Sequence, residues 1–148
     1  MTSKIATEIA ATVLTTACAA ACAAIPAAHV APSPIKPAEL QLEAKWDKVF
    51  AQSSKVNHSK ITFVNRYGIT LAADLYVPKN AQGKLPAIAV SGPFGAVKEQ
   101  SSGLYAQTMA ERGFLTIAFD PSYTGESGGE PRYVASPDIN TEDFSAAV

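Results

Sequence analysis

The chain reads as an α/β protein in which an antiparallel hairpin precedes a parallel βαβ unit, and three features of the sequence carry that reading. The runs "ITFV" (61–64) and "ITLAADLYV" (69–77) are β-rich and are separated by Asn65, Arg66, Tyr67 and Gly68, residues suited to a hairpin turn. The runs "LPAIAVSGP" and "FLTIAFDP" are short and almost wholly apolar, as strands covered on both faces should be. Between these two, "EQSSGLYAQTMAERG" sets Leu104, Tyr105, Thr108 and Met109 at helical spacing and ends on Gly113, a C-cap residue.

In chain order, residues 1–37 stand apart from the rest. They open near Lys4, carry no charge from Ile9 to Ile25 and then turn to Pro and Ala, as a secretory signal runs from a charged start through an apolar core to small residues. The expectation is an exported protein, periplasmic or secreted; without a functional signal the protein is cytoplasmic. The apolar core is too short for a stable membrane span. Cys18 and Cys22, four residues apart, either share a helix face as metal ligands with His29 a distant third, or are small apolar residues of the leader. The Pro-rich "APSPIKP" then reads as a linker.

The folded domain is expected from residue 38 to 148. "PAELQLEAKWDKVF" has Leu40, Leu42, Trp46, Val49 and Phe50 near helical spacing and predicts a short amphipathic helix with Trp46 as a packing anchor. His58 follows as a lone histidine at a strand edge with no partner in view. After the hairpin, a right-handed βαβ crossover brings the loops that follow both apolar strands to one carboxyl edge, where open α/β sheets bind ligands. "NTEDFSAAV" begins a last helix, with Asn140 or Thr141 as N-cap and acidic residues in its first turn.

One motif invites a nucleophile. Gly125, Glu126, Ser127, Gly128 and Gly129 form a literal G-x-S-x-G. An elbow of that kind must pass directly from a buried strand into a helix, whereas "PSYTGE" precedes Ser127 as loop and "GGEPRYVASPD" follows it with glycines and prolines. The histidines, His29 and His58, both lie upstream of the βαβ unit. Ser127 is therefore expected to be a loop residue, and no catalytic residue is assigned.

The hairpin, then "LPAIAVSGPFGAVKEQ", a helix and "GFLTIAFDPSYTGESGGEPR" together resemble the N-terminal part of an α/β-hydrolase, nearest the dienelactone-hydrolase-like bacterial enzymes. Ser91, Gly92 and Gly95 match that fold's loop after the third strand, and Asp120, Gly125 and Ser127 its loop after the fourth. The resemblance covers residues 55–148 and implies hydrolysis of a small ester-like substrate in the full-length form. It implies an oxyanion loop at Gly92, Phe94 and Gly95, because Pro93 has no N–H to donate, and a cleft lined by Ser91, Lys98, Asp120 and Ser127. It further implies that nucleophile, acid and histidine belong to later segments, so that the chain is an incomplete hydrolase domain, inactive alone, that stops before the nucleophile strand. No cofactor or metal is expected.

Charge narrows the alternatives. Twelve Lys plus Arg face thirteen Asp plus Glu, for a formal charge of -1, and no basic run suits a phosphate backbone, so nucleic acid is not an expected partner. A nucleotide site lacks its glycine-rich fingerprint after either strand. A non-catalytic secreted or periplasmic module that binds a partner along its sheet edge remains the second reading.

Overall fold

The computed structural model describes residues 37–148; the leader, Cys18, Cys22 and His29 lie outside them. Within residues 37–148 the order is β1 (Val56–Val64), β2 (Thr70–Pro78), β3 (Ala87–Ser91), α1 (Ser101–Glu111), β4 (Leu115–Phe119) and α2 (Pro137–Ala147). The sheet order is β1-β2-β4-β3. β1 and β2 pair antiparallel from Val56↔Pro78 to Val64↔Thr70, β2 and β4 pair antiparallel, and β3 and β4 run parallel. Hairpin and βαβ unit thus join in one mixed sheet, with β2 central and buried along most of its length. The turn closes through Asn65, whose Oδ1 accepts the N–H groups of Tyr67 and Ile69, each at 3.0 Å.

Side-chain alternation gives the sheet two unlike faces. Leu71, Ala73 and Phe119 pack with Ile61, Phe63, Ala89 and Ile117 on the face nearer α2, with Phe119 edge-on to Phe144 at 4.9 Å. On the other face Val56, Tyr76 and Ala118 meet Ala106 and Ala110 of α1, beside Asp74 and Thr116.

Three expectations need correction. Residues 37–50 form no helix; they lie as an irregular strap. Tertiary partners capture its backbone: the Val49 N–H donates to the Glu99 carbonyl (3.1 Å) and the Glu43 N–H to Glu126 Oε1 (2.7 Å). Trp46 does anchor the strap, packing against the α1-side core. In α1 the stripe Leu104–Tyr105–Thr108–Met109 is not the packing face: Leu104 and Tyr105 are 47% and 53% exposed, and Ser102, Gly103, Ala106, Gln107 and Ala110 are buried instead. Small residues win because the helix lies so close. A Cβ on Gly103 would collide with the Lys98 carbonyl oxygen of the preceding loop and press on the Phe50 ring of the strap, and on the sheet side Thr116 Oγ1 donates straight into the Ala106 carbonyl at 2.8 Å. Finally, α2 begins at Pro137 with Ser136 as N-cap, so Asn140 and Thr141 are interior positions. Proline at the first helical position starts a helix, since its missing N–H has no partner to lose there. Gly113 does end α1, at φ 101°.

Candidate functional site

Loops 92–100 and 120–136 leave the sheet side by side, because β3 and β4 are parallel neighbours. The first begins with a β-turn: the Ala96 N–H donates to the Pro93 carbonyl at 2.9 Å, and Gly95 sits at φ 79° in its third position, as a type II turn requires. A turn of this kind makes no use of its two central N–H groups, and those of Phe94 and Gly95 find no acceptor among the described residues. They stand at a recess of about 90 Å³ whose walls are Gly92–Ala96, Pro121, Thr124 and the approach to α2. Phe94 itself is 83% exposed. The oxyanion candidates Gly92, Phe94 and Gly95 therefore do come together. A larger hollow of about 590 Å³ lies around Pro78, Arg112 and Gly113, at the opposite, amino end of β3 and β4. It gathers none of the candidate site residues.

Three of the four cleft-lining candidates face inward. Lys98, Asp120 and Ser127 are 0%, 0% and 2% exposed, because their polar atoms are committed to one another's loops. Ser127 Oγ donates to the Asp120 carbonyl (2.7 Å) and accepts the Ala72 N–H (2.9 Å). Nine residues lie between it and the first residue of α2, so no strand-to-helix elbow exists there. Nor is an imidazole at hand. Ala72 pairs with Thr62 and Tyr76 with His58, which sets His58 four residues, about 13 Å, along the sheet from the Ser127 contact. Ser91, the last residue of β3, is half-buried, and its hydroxyl has no hydrogen-bond partner.

Lys98 is the hub of a buried ionic chain that the sequence did not reveal. Its Nζ lies 2.8 Å from Asp120 Oδ2, 2.7 Å from Glu126 Oε2 and 2.5 Å from Glu99 Oε1. Asp120 Oδ1 accepts the Lys98 N–H at 2.7 Å, and Oδ2 accepts the Glu126 N–H at 3.0 Å. Gly125, at φ 55°, leaves room for this carboxylate; a Cβ there would stand 2.2 Å from Oδ2. The chain continues from Glu126 to Lys60 (2.9 Å), from Lys60 to Asp47 (2.7 Å) and from Asp47 to Lys48. Lys48 faces Asp74 Oδ2 at 3.0 Å as an ion pair without hydrogen-bond alignment. His58 is not the solitary edge residue expected: it lies inside β1 between Trp46 and Tyr76, its Nε2 2.7 Å from Asp74 Oδ1. One clue was legible: Asp74 interrupts an otherwise apolar run, and a charge at a doubly covered strand position needs a partner.

Electrostatics follow from this packing. Burial opposes the Lys98 charge, but Asp120, Glu126 and Glu99 outweigh it and raise its pKa above the usual lysine value. Burial pushes the Asp47 carboxyl up, yet bonds to Lys48 and Lys60 prevail and hold it at about 2. Glu126 is likewise depressed, its burial outweighed by the Glu43 N–H, Lys98 and Lys60. Burial, reinforced by nearby carboxylates, raises the Tyr76 phenol. Oxygens of Asp47, Glu99 and Glu126 approach within 4.8 Å of one another, but each carboxylate already faces lysine ammonium groups, which would repel a metal cation.

Loop 120–136 is held rigidly. Tyr123 and Tyr133 occupy the left-handed region at φ 70° and 63°, and each donates its N–H within the loop region, to the Gly128 and Tyr123 carbonyls. Arg132 binds the carbonyls of Ser127 and, at 2.7 Å, Gly125. Asp143 of α2 accepts the Ser122 N–H and hydroxyl, each at 2.8 Å, and Asn65 Nδ2 at 2.8 Å.

Residues 67–148 match the family model described as X-Pro dipeptidyl-peptidase (S15 family). An uncharacterised protein of Pseudomonas aeruginosa is 78% identical over 111 residues, 74% of this chain and 30% of its own length. Its crystal structure covers 74% of this chain and 35% of its own with a TM-score of 0.72 and 77% identity. A thiohydrolase of Aspergillus aculeatus is 34% identical over 91 residues, 62% of this chain and 28% of the relative. The α/β hydrolase GrgF of a Penicillium species superposes with a TM-score of 0.56 at 27% identity, over 62% of this chain and 30% of that one. The chain thus spans about a third of the length of these proteins.

Proposed function

The chain belongs to the X-Pro dipeptidyl-peptidase (S15) family of hydrolases, and from that membership we propose that it supplies the oxyanion half of an enzyme cleaving small ester or thioester substrates. The observation that carries the reading is the Pro93–Ala96 turn, which leaves the Phe94 and Gly95 N–H groups unpaired at the carboxyl edge of β3. Two adjacent dipoles fixed at such an edge stabilise the negative charge that grows on a carbonyl oxygen during attack. The preference for an ester or thioester over a peptide draws on the Aspergillus relative, named a thiohydrolase. The dienelactone-hydrolase-like subclass is the finer version of the same reading and rests on the two loop motifs alone.

Among the described residues no hydroxyl or thiol meets a free imidazole. Ser127 is sealed between Asp120 and Ala72, and His58 is taken by Asp74. Attack is therefore assigned to a nucleophile of the full-length form, and this chain alone is expected to be inert. Export through the leader belongs to the proposal as well; N-terminal sequencing of the mature protein from separated cell fractions tests it.

The decisive variant is Phe94→Pro. Proline suits the second position of a type II turn, so the turn survives while one donor is lost. In the full-length form, turnover of p-nitrophenyl acetate or an acyl thioester should fall by roughly 10² to 10³ in kcat with KM little changed. An unchanged kcat refutes the oxyanion assignment. A full-length protein that melts cooperatively yet cleaves no ester or thioester favours the binding module, whose attachment point would be β3, one of the two outer strands of the sheet among the described residues.

A further inference from the structure

We propose that Lys98 is the positioning residue of the oxyanion loop, clamping it to the end of β4 through Asp120 and to the strap through Glu126. The inference rests on the hydrolase reading and adds to it the element that sets the aim of the two N–H groups.

Residue 98 grips Asp120 twice, with its backbone N–H on Oδ1 (2.7 Å) and its ammonium group on Oδ2 (2.8 Å). Asp120 is itself fixed, because its N–H donates to the Ala72 carbonyl of β2 at 3.0 Å. The segment from Gly92 to Val97 therefore spans two pinned ends, Ser91 in β3 and Lys98 held to Asp120 just past the end of β4. Glu126 and Glu99 complete the ammonium's shell, and through Lys60 and Asp47 the same chain reaches the strap.

Stability alone gives no reason for this construction. Burying a lysine with several carboxylates costs several kcal/mol per ion, and well-packed apolar substitutes commonly do as well or better. What an apolar patch does not supply is direction. Contact between alkyl groups tolerates sliding, whereas two hydrogen bonds to the two oxygens of one carboxylate fix both distance and angle. A displacement of about 1 Å at donors of this kind is enough to lower turnover by about 10²-fold.

The test uses Lys98→Met and Glu126→Gln in the full-length form, assayed with p-nitrophenyl acetate, with active sites counted by burst titration and folding checked by circular dichroism and thermal melting. Lys98→Met removes the ammonium grip and leaves only the backbone N–H on Asp120; Glu126→Gln, at the half-buried rim, loosens the clamp less and stands in if the first variant fails to fold. The expected result is a kcat per active site lower by about 10²-fold for Lys98→Met and about tenfold for Glu126→Gln, with KM within twofold in both. A merely structural role would lower the number of active sites and the melting temperature and leave kcat per site unchanged. Either folded variant keeping kcat within twofold overturns the inference. A wild-type enzyme without turnover instead removes the hydrolase reading beneath it, and the inference with it, so the two failures are distinguishable.

Discussion

The two faces of this sheet each bury an apolar cluster, but on only one of them do the strands bury charge beside it. On the α2 side Phe63, Leu71, Ala73 and Phe119 make a dry apolar interior. On the α1 side the same strands present His58, Lys60, Asp74, Tyr76 and Thr116 to a layer of strap and small-residue helix. The apolar face holds the strands together through contact area, which is large and undirected. The other face has an apolar cluster of its own around Val56, Tyr76 and Ala118, but its buried charges also tie strap, hairpin and both carboxyl-edge loops to fixed points. The difference teaches where position is controlled: the side of the sheet with the costlier interior is also the side that bears on the candidate site.

Removing an aromatic ring from the dry face is the most damaging change expected. Phe119→Ala should cost about 3 to 5 kcal/mol in urea unfolding, since Phe119 is 1% exposed and meets Phe63 and Phe144 edge-on. Asp74→Asn should cost roughly 3 kcal/mol, because buried Lys48 keeps only Asp47 as a charged partner and His58 loses its carboxylate. The contrast between the faces sharpens in a double variant. Asp74→Leu with Lys48→Met should recover part of that loss, because the paired charges are exchanged for apolar contact while His58 still lacks its Asp74 partner, whereas no single partner change rescues Phe119→Ala.

A smaller loss is expected for Ser127→Ala, about 1 to 3 kcal/mol, because the Ala72 N–H and the Asp120 carbonyl both lose a buried partner. Full-length enzyme carrying it should show a lower melting temperature with kcat per active site intact. If kcat per site collapses instead, Ser127 is chemical and the assignment of the loops is wrong.

The mildest effect concerns pH. The folded pKa values of Asp47 and Glu126 lie below their unfolded carboxylate values. Their contribution is therefore complete above the unfolded values near pH 4 and is lost as pH falls, for Asp47 through about 2. Melting temperatures recorded from pH 6 down to 2 should decline across that window. In Asp47→Asn the decline should be shallower, and added salt should reduce the difference because both groups are partly exposed. Equal slopes in wild type and variant would show that the strap's ion pairs do not contribute.

Local chemistry was enough to place the four strands, although β1 begins at Val56, five residues before the run that marked it. Turn residues 65–68, the apolar runs before Gly92 and Asp120, and the C-cap Gly113 act within a few positions of themselves and mean the same thing in most surroundings. Loop signals were equally local, which is why Ser127 could be separated from an elbow without coordinates. The misreadings fell where distant residues intervene. The strap has the spacing of a helix, but Glu99, Glu126 and Asp74 on other elements claim its polar groups. The exposed Leu104 and Tyr105 look like a packing stripe until the approach of Phe50 and the Lys98 carbonyl to Gly103, and of Thr116 to Ala106, is known.

Composition and short-range pattern by themselves determined the class of the fold and the parallel βαβ unit, whereas the loop at Phe94 and Gly95 was marked out by the family resemblance. Only the tertiary structure decided that Lys98, Asp120 and Ser127 face inward, and that His58 belongs to Asp74. Strand and turn preferences are set by a residue's own backbone and nearest neighbours, whereas the pairing of buried charges depends on which elements meet, and these pairs join residues up to 66 positions apart.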